Sequence, residues 1–501
     1  MFQPLIEKAA HAAFFVYVEY IASTMKISPM KILLAGLCLL SLAGCAQNPV
    51  TGKQDFVMMS ESQEIAIGRR DDALVRKQYH VYPDKALQDY INRVGQRLAR
   101  DSDRPNLQYH FTVLDSPEVN AFALPGGYVY ITRGILAYLN SEAELAAVLG
   151  HEIGHVAARH GVRQQSAAEA ANLGLSIASI FVPEINTNVG YNLSNILGGA
   201  LLSGYGREHE LEADRLGAKY MARADYDPQA MIKVLSLLKA QEEFDAVVAK
   251  QEGRQPNHYH GLFASHPDND TRLKQVVGEA SHLTVAHPYE GHNNYLQQIV
   301  GLVFKDSDNQ GVVRDNKFMH AGLDMALTFP RGWHVQNQPD QLLAVGPQGE
   351  AVLQLKADNK PNGTPFDYVR RMTGARNGID TRDINGLPAA VVTLPGSITG
   401  VIYLHGKAYV IQGRAKSRAA FDSYRDEMRF AINSFHALSA AERKQAQPLR
   451  ITLITARPGD TYARLAAYSP LGKNAESYLR LINGAYPKGE PAPGQLIKTV
   501  E

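Results

Sequence analysis

The sequence predicts a multidomain α+β protein whose first part is mainly helical. Its 501 residues correspond to about three domains at roughly 150 residues each. Residues 57–100 and 142–160 carry apolar side chains at spacings of three and four, as amphipathic helices do. From 317 to 438 the apolar spacing is mostly two, which indicates β-strands. A short C-terminal segment, 449–501, follows this strand-rich part.

Charge and cysteine content exclude several classes of protein. The 51 Lys and Arg residues balance 50 Asp and Glu residues, for a net charge of +1. Nucleic-acid-binding proteins need a basic surplus, so this balance argues against such a role. The chain has two cysteines, too few for a disulfide scaffold or a cysteine-rich metal cluster. Any metal chemistry must therefore use the 17 histidines and the carboxylates.

The N-terminal region contains an apolar run from Ile32 to Cys45, preceded by Lys26 and Lys31. A positive start, about a dozen apolar residues and small residues at the end are typical of a secretory signal peptide. The run is shorter than the about 20 residues that span a bilayer. Its end, Leu42-Ala43-Gly44-Cys45, resembles the lipobox of bacterial lipoproteins. This resemblance implies cleavage before Cys45, a lipid on its thiol and, with Ala46 next, the periplasmic face of the outer membrane.

Residues 1–45 are therefore assigned to a leader. Glu7 and Glu19 interrupt the apolar character of the first 24 residues, so we expect translation to begin at Met25 or Met30. The alternative is a buried apolar helix in which Cys45 has no special role.

The segment His151-Glu152-Ile153-Gly154-His155 carries the strongest chemical signal in the chain. Histidines four residues apart lie on one face of a helix, so both imidazoles reach one metal ion. Zinc in catalytic sites takes such nitrogens, a third protein ligand and a water. Glu152, beside the first histidine, is placed to accept a proton from that water. The alternative is a surface helix with two solvated histidines.

A third ligand is expected from the helix predicted over 206–222. Glu210 and Asp214 are four residues apart, so Glu210 can bind the metal while Asp214 accepts a hydrogen bond from a liganding histidine. Spacing alone leaves two alternatives open. Glu208 and Glu212 form a competing pair, and His209 would complete a three-histidine site.

Two strand-like runs, 107–114 and 121–132, precede these helices. Pro125-Gly126-Gly127 interrupts the second run and predicts a turn. We expect Asn120 to Leu124 to form an edge strand that pairs with an extended peptide through backbone hydrogen bonds. Asn120 would then hold the substrate backbone or the developing oxyanion. A plain hairpin explains the glycines but leaves the polar Asn120 unexplained.

Together, the His151 motif, the Glu210 motif and the run from Asn120 to Gly127 resemble the gluzincin metallopeptidases related to HtpX, Oma1 and the CAAX prenyl protease, in particular their periplasmic BepA-like members. The resemblance covers residues 56–275. It implies that His151, His155 and Glu210 bind one zinc ion, that Glu152 is the catalytic base and that Asp214 supports a histidine ligand. The transmembrane helices of HtpX and the tetratricopeptide tail of BepA have no counterpart here, so the substrates of those proteins are not implied.

Ser265-His266-Pro267, with Arg272 five residues on, also matches a family segment near the cleft. One hypothesis is that His266 reaches the zinc when no substrate is bound and keeps the enzyme latent; the alternative is a solvated histidine in a loop that starts a helix. The remaining histidines of this part are expected to be surface or loop residues, namely His160, His209, His258 and His260.

The rest of the chain is divided by composition. We assign 46–290 to the peptidase domain and 291–316 to a linker. Residues 317–438, with a "LTFPRGW" turn at 327–333, faintly resemble the PsbP/Mog1-like α+β fold. The last segment, 449–501, loosely resembles a LysM module, which implies contact with peptidoglycan; a structural cap is the alternative.

These features predict a zinc-dependent endopeptidase, tethered by lipid in a bacterial envelope, that degrades misfolded or stalled envelope proteins. The substrate class follows from the resemblance alone. One rival is a chaperone or scaffold lipoprotein with a structural zinc, against which Glu152 argues because a structural site needs no base. A second rival is a cell-wall factor that acts through 449–501.

Overall fold

The computed structural model describes residues 45–169, 206–252, 272, 282–307, 309–338, 341–359 and 363–501. Its helices and sheets confirm the predicted α+β class. The expected signal segment before Cys45, including both candidate start methionines, lies outside the described residues, and Cys45 begins the first strand. No helix in the described ranges is both long and apolar enough to span a bilayer.

The first part of the chain is helical, with short strands. Its elements in order are β1 (Cys45–Gln47), β2 (Gln54–Phe56), α1 (Glu61–Gln78), α2 (Lys85–Arg100), β3 (His110–Leu114), β4 (Ala121–Leu124), β5 (Tyr128–Thr132), α3 (Arg133–Tyr138), α4 (Glu142–Ala157), α5 (Arg207–Arg223) and α6 (Ala230–Glu252). Ser60 forms a reciprocal capping box with Gln63 at the start of α1. Asp84 caps α2 through the Leu87 amide. The helical region predicted over 57–100 is thus two helices.

Strands β3, β5 and β4 form a three-stranded sheet in that order. β3 runs parallel to β5, and β4 runs antiparallel to it. The predicted turn connects β4 to β5, and Gly126 and Gly127 have φ angles of +78° and +93°, which other residues rarely adopt. Within the described part of the chain β4 pairs on one side alone, so it is an edge strand, as predicted.

Helix α4 lies in the centre of the first part, and all 16 of its residues are buried. The hydroxyl of its N-cap, Ser141, accepts a hydrogen bond from the Glu144 amide at 3.1 Å. The Glu144 carboxylate accepts one from the Asn140 amide at 2.7 Å. A helix that is enclosed and capped in this way holds its polar side chains in fixed positions.

The regular helix ends at Ala157, and a kink follows it. Arg159 has a φ of 56°, in the left-handed region, and helical turns resume over 160–169. The Arg159 side chain donates hydrogen bonds to the Glu64 carboxylate at 3.0 Å and to the Met59 carbonyl at 3.0 Å. These bonds offset the cost of the unusual backbone conformation.

The segment assigned to a linker, 291–316, contains regular structure: residues 292–304 join the core of the first part, whereas residues 312–314 pair with the strand-rich middle part. It forms α7 (His292–Gln298), β6 (Val303–Phe304) and β7 (Val312–Arg314). Tyr295 and Leu296 are completely buried, and the Tyr295 hydroxyl donates to the Leu136 carbonyl at 2.6 Å. The polar composition around these apolar residues suggested a linker, whereas burial of a few large side chains determines the packing.

The middle of the chain is rich in strands. Its elements are β8 (Lys317–His320), β9 (Met325–Thr328), β10 (His334–Gln338), β11 (Gln341–Val345), β12 (Ala351–Asp358), α8 (Pro365–Thr373), β13 (Ile379–Ile384), β14 (Leu387–Leu394), β15 (Ser397–Leu404), β16 (Lys407–Ala415), α9 (Arg418–Ser434) and β17 (His436–Ala437). An antiparallel sheet of seven strands has the order β10-β11-β12-β16-β15-β14-β13. Phe329 and Trp333 of the predicted turn are buried in its core.

The C-terminal segment returns to the first part of the chain. Helix α10 (Ala440–Gln445) still packs on the middle part, where Lys317 donates to its Glu442 at 2.7 Å. The returning segment then contains β18 (Leu449–Thr455), α11 (Tyr462–Ala466), α12 (Ala475–Ile482) and β19 (Leu496–Val500). β18 pairs with β6 and β19, and apolar residues of this segment join the core that surrounds α4. The buried Lys498 donates hydrogen bonds to the carbonyls of Ala137 and Leu139, at 2.8 and 2.7 Å.

Candidate metal centre

Helices α4 and α5 bring three candidate ligands, His151, His155 and Glu210, to one point, here called the ligand point. The Nε2 atoms of His151 and His155 are 3.0 Å apart. The Glu210 carboxylate oxygens lie 3.5 Å from the first of these nitrogens and 3.4 Å from the second. All three side chains are buried, and they are the one group of potential metal ligands found among the described residues.

The donor set and its spacing fit zinc. Two imidazole nitrogens and one carboxylate are a set found in catalytic zinc sites, which leave a fourth position open. Ligand atoms about 2.0–2.1 Å from a tetrahedral zinc lie roughly 3.4 Å from one another. The observed separations of 3.0, 3.4 and 3.5 Å are close to that value.

Glycines at the contact between α4 and α5 allow the helices to approach. A Cβ atom on Gly217 would lie 2.9 Å from the His151 amide nitrogen, and one on Gly154 would lie 2.9 Å from the Ala213 carbonyl oxygen. Real Cβ atoms do not come so near to backbone, so larger residues would separate the helices. No local sequence pattern indicates this role of Gly154 and Gly217, although both lie within or beside the motifs.

Asp214 lies one turn after Glu210 and orients the first histidine. Its Oδ1 is 2.8 Å from His151 Nδ1, which leaves Nε2 facing the ligand point. Burial alone would lower the pKa of His151, but Asp214 and Glu210 raise it to about 9. The site therefore favours positive charge, as a cation-binding site must.

Arg272 balances the two carboxylates. Its guanidinium donates to both Asp214 oxygens at 2.7 Å and lies 3.1 Å from a Glu210 oxygen. Burial alone would raise the pKa of Asp214, but Arg272 and His151 hold it well below its usual range. The Asp214 carboxylate is thus kept ionised beside its histidine.

Glu152 and Asn120 lie on α4 and immediately before β4, and their predicted catalytic roles stay predictions. Glu152 is buried immediately after His151 on α4. Asn120 precedes the edge strand β4, and its backbone N–H donates to the Thr132 hydroxyl at 3.2 Å. The buried side-chain oxygen of Asn120 has no hydrogen-bond partner among the described residues. Farther along the same strand, Ala123 and Leu124 line a small pocket together with His155.

The residues that competed with Glu210 as the third ligand make other contacts or face solvent. Glu208 is exposed, and Glu212 bonds to His160 at 3.0 Å instead of facing the ligand point. His209 stacks on His160 with ring centroids 4.3 Å apart.

The expectation that His160 is a surface residue is wrong. Its side chain is completely buried, and its Nδ1 is 2.8 Å from His155 Nδ1. The backbone kink at Arg159 turns it inward, and no local sequence pattern indicates that kink. His266, His258 and His260 lie outside the described residues, so the latency hypothesis for His266 stays a prediction.

Comparison with known proteins identifies one peptidase family and several similar proteases. The family model described as Peptidase family M48 matches residues 85–304. The "Beta-barrel assembly-enhancing protease" of Yersinia pestis is 31% identical over 334 residues, which cover 62% of this chain and 65% of the relative. The protein of the same name from Escherichia coli (strain K12) is 30% identical over 354 residues, covering 66% and 69%. The "Mitochondrial metalloendopeptidase OMA1" of Schizosaccharomyces pombe is 34% identical over 142 residues, covering 28% and 41%.

The chain thus spans about two thirds of the length of the two bacterial relatives. The matched family region contains both histidines, Glu210 and Asp214. From this match, together with the geometry of the site, the chain belongs to peptidase family M48 and is a metallopeptidase.

Proposed function

We propose that this chain is a zinc-dependent endopeptidase that cleaves unfolded or stalled proteins of a bacterial envelope. The observation that carries the proposal is the convergence of His151, His155 and Glu210 beside the buried Glu152. One zinc ion per chain would be held by the three ligands.

In this proposal Glu152 is the general base and acid. Zinc, when bound, polarises the peptide carbonyl and lowers the pKa of water. Glu152 accepts a proton from the attacking water as the C–O bond forms, and it delivers that proton to the leaving nitrogen as the C–N bond breaks. Asp214 holds His151 in the tautomer that presents Nε2 to the ligand point.

The edge strand β4 is the proposed substrate platform. A peptide that adds to β4 as a further strand is held by backbone hydrogen bonds, which read little side-chain sequence. Asn120, immediately before this strand, has a side-chain oxygen without a hydrogen-bond partner among the described residues, and in this proposal it accepts from a substrate amide once the peptide binds. Such a platform selects extended polypeptide, which folded proteins do not offer.

The envelope setting is supported by the leader and by the printed name of the bacterial relatives, which refers to β-barrel assembly. We propose a lipid anchor on Cys45 and a position at the periplasmic face of the outer membrane. Replacing Cys45 with Ala should move the protein from the membrane fraction to the soluble fraction. Retention of the Cys45→Ala variant in the membrane would refute the anchor.

Finer assignments of the other parts are also proposals. The "LTFPRGW" turn and the strand order support a PsbP/Mog1-like fold for 317–438. A LysM-like fold for 449–501 would give peptidoglycan as a partner, and co-sedimentation with purified sacculi tests that partner. The shared core between this segment and α4 supports a structural role.

The substrate class is tested with one protein in two states. Reduced and alkylated α-lactalbumin and its native, disulfide-bonded form are offered to residues 46–501 and to the Glu152→Gln variant. We expect the parent to cleave the unfolded form at many sites, and the variant to cleave neither form. Equal cleavage of both forms, or cleavage after one residue type alone, would contradict the proposal.

A further inference from the structure

A chain of side chains leads away from the second histidine of the proposed zinc site. His155 Nδ1 is 2.8 Å from His160 Nδ1. His160 Nε2 is 3.0 Å from the Glu212 carboxylate. The same carboxylate accepts a hydrogen bond from Arg163 at 3.2 Å.

The backbone kink is what makes the first of these contacts. Residues five apart in a straight α-helix point about 140° away from each other, so His155 and His160 would not meet. The left-handed conformation of Arg159 turns the chain and brings the two rings edge to face, with centroids 4.9 Å apart. The Arg159 side chain donates to the Glu64 carboxylate and to the Met59 carbonyl, and these two hydrogen bonds hold the kink in place.

We propose that His160 and Glu212 are positioning residues that orient His155 toward the metal. This inference rests on the proposed zinc site. A histidine that presents Nε2 to a metal carries its proton on Nδ1, so His155 donates and His160 Nδ1 accepts. A neutral His160 then carries its own proton on Nε2 and donates it to Glu212.

Each zinc histidine thus connects through a carboxylate to an arginine. His151 contacts Asp214, which Arg272 holds. His155 reaches Glu212 through one intervening imidazole, and Arg163 holds that carboxylate. The hydrogen bonds fix both rings, and the nearby negative charge raises the basicity of each ligand.

The test is zinc affinity, measured by chelator competition on residues 46–501. His160→Leu removes the acceptor, and we expect zinc to bind about 10–100-fold more weakly. His160→Gln supplies a carbonyl oxygen to His155 and an amide to Glu212, so it should restore affinity to within about threefold of the parent. A purely space-filling role of His160 would not produce this difference between Leu and Gln.

Glu212→Gln should weaken zinc binding less than His160→Leu does, because an uncharged acceptor remains. The matched control is Glu208→Gln, an equal charge change on the exposed face of α5, which should bind zinc like the parent. Should His160→Leu fail to fold, ¹⁵N–¹H correlation spectra of the parent report the tautomers directly, with His155 protonated on Nδ1 and His160 on Nε2.

Parent-like zinc affinity in His160→Leu, or the opposite tautomers, would overturn the inference while the proposed function stands. A parent that binds no zinc would overturn the proposed function and this inference with it.

Discussion

Arg272 donates two parallel hydrogen bonds to Asp214, from Nε to Oδ2 and from Nη2 to Oδ1, each 2.7 Å long. Both side chains are almost completely buried. Because Asp214 in turn contacts His151, Arg272 acts on the orientation of a candidate zinc ligand through this carboxylate. The sequence indicated Arg272 by resemblance alone and did not indicate this contact.

Replacing Arg272 with Met should destabilise the fold strongly. The change leaves the Asp214 and Glu210 carboxylates buried without their cation, and breaking such a pair costs about 3–5 kcal/mol. Denaturant unfolding measures the loss. The control is Arg223→Met, which removes an exposed ion pair with Asp103 and should cost less than about 1 kcal/mol. Equal losses for both variants would refute the role of Arg272.

Gly217→Ala should separate α4 from α5. The added methyl group would collide with the His151 backbone. Such overpacking lowers the free energy of unfolding by about 1–3 kcal/mol. The higher helix propensity of Ala offsets up to about 1 kcal/mol of this loss. Zinc affinity should also fall, because Glu210 moves with α5. Gly206→Ala, where an added Cβ meets nothing within 4 Å, is the control. Parent-like zinc binding in Gly217→Ala would show that the close approach is not required.

The C-terminal strand should determine the stability of the peptidase part. Ile497 is completely buried in the core around α4, and Ile497→Ala should cost about 2–5 kcal/mol. Zinc release during heating should therefore begin at a lower temperature. The comparison is Ile398→Ala, equally buried in the separate core of the seven-stranded sheet, which should leave zinc release unchanged. The reverse pattern would indicate that 449–501 is an independent module.

Acid should destabilise the middle of the chain through Glu442. Burial alone would raise the pKa of Glu442, but hydrogen bonds from Lys317, Ser439 and His436 hold it below its usual range. A depressed folded pKa stabilises the protein above the unfolded value of about 4.3, and this contribution is lost as the pH falls below that value. Unfolding of Glu442→Gln should depend less on pH between 5 and 3 than unfolding of the parent. Parallel curves for the two proteins would contradict this assignment.

Local patterns in the sequence predict the elements that carry the site. The capping residue Ser141 and the apolar spacing over 142–160 locate α4. The four-residue spacing of His151 and His155 places both on one helical face, and their nitrogens do meet. These features depend on interactions between residues a few positions apart in the chain. Such interactions can be predicted directly from the sequence.

Contacts between distant segments were not predictable in this way. Glu210 and Glu212 have similar local surroundings, and the rotation of α5 against α4 decides which of them faces the histidines. The kink at Arg159 depends on Glu64, which lies far away in the sequence. Lys498 looks like a surface residue in a strand, yet it donates to the carbonyls of Ala137 and Leu139 at the C-terminal end of α3, more than three hundred residues before it.

The central claim is tested most directly by measuring zinc content and casein cleavage for residues 46–501 and for the Glu152→Gln variant. We expect one zinc per chain in both proteins, because Glu152 is not a ligand. Cleavage should occur in the parent and fall by at least about 100-fold in the variant, because the general base is lost. Absence of zinc from both proteins, or equal cleavage by both, would contradict the account.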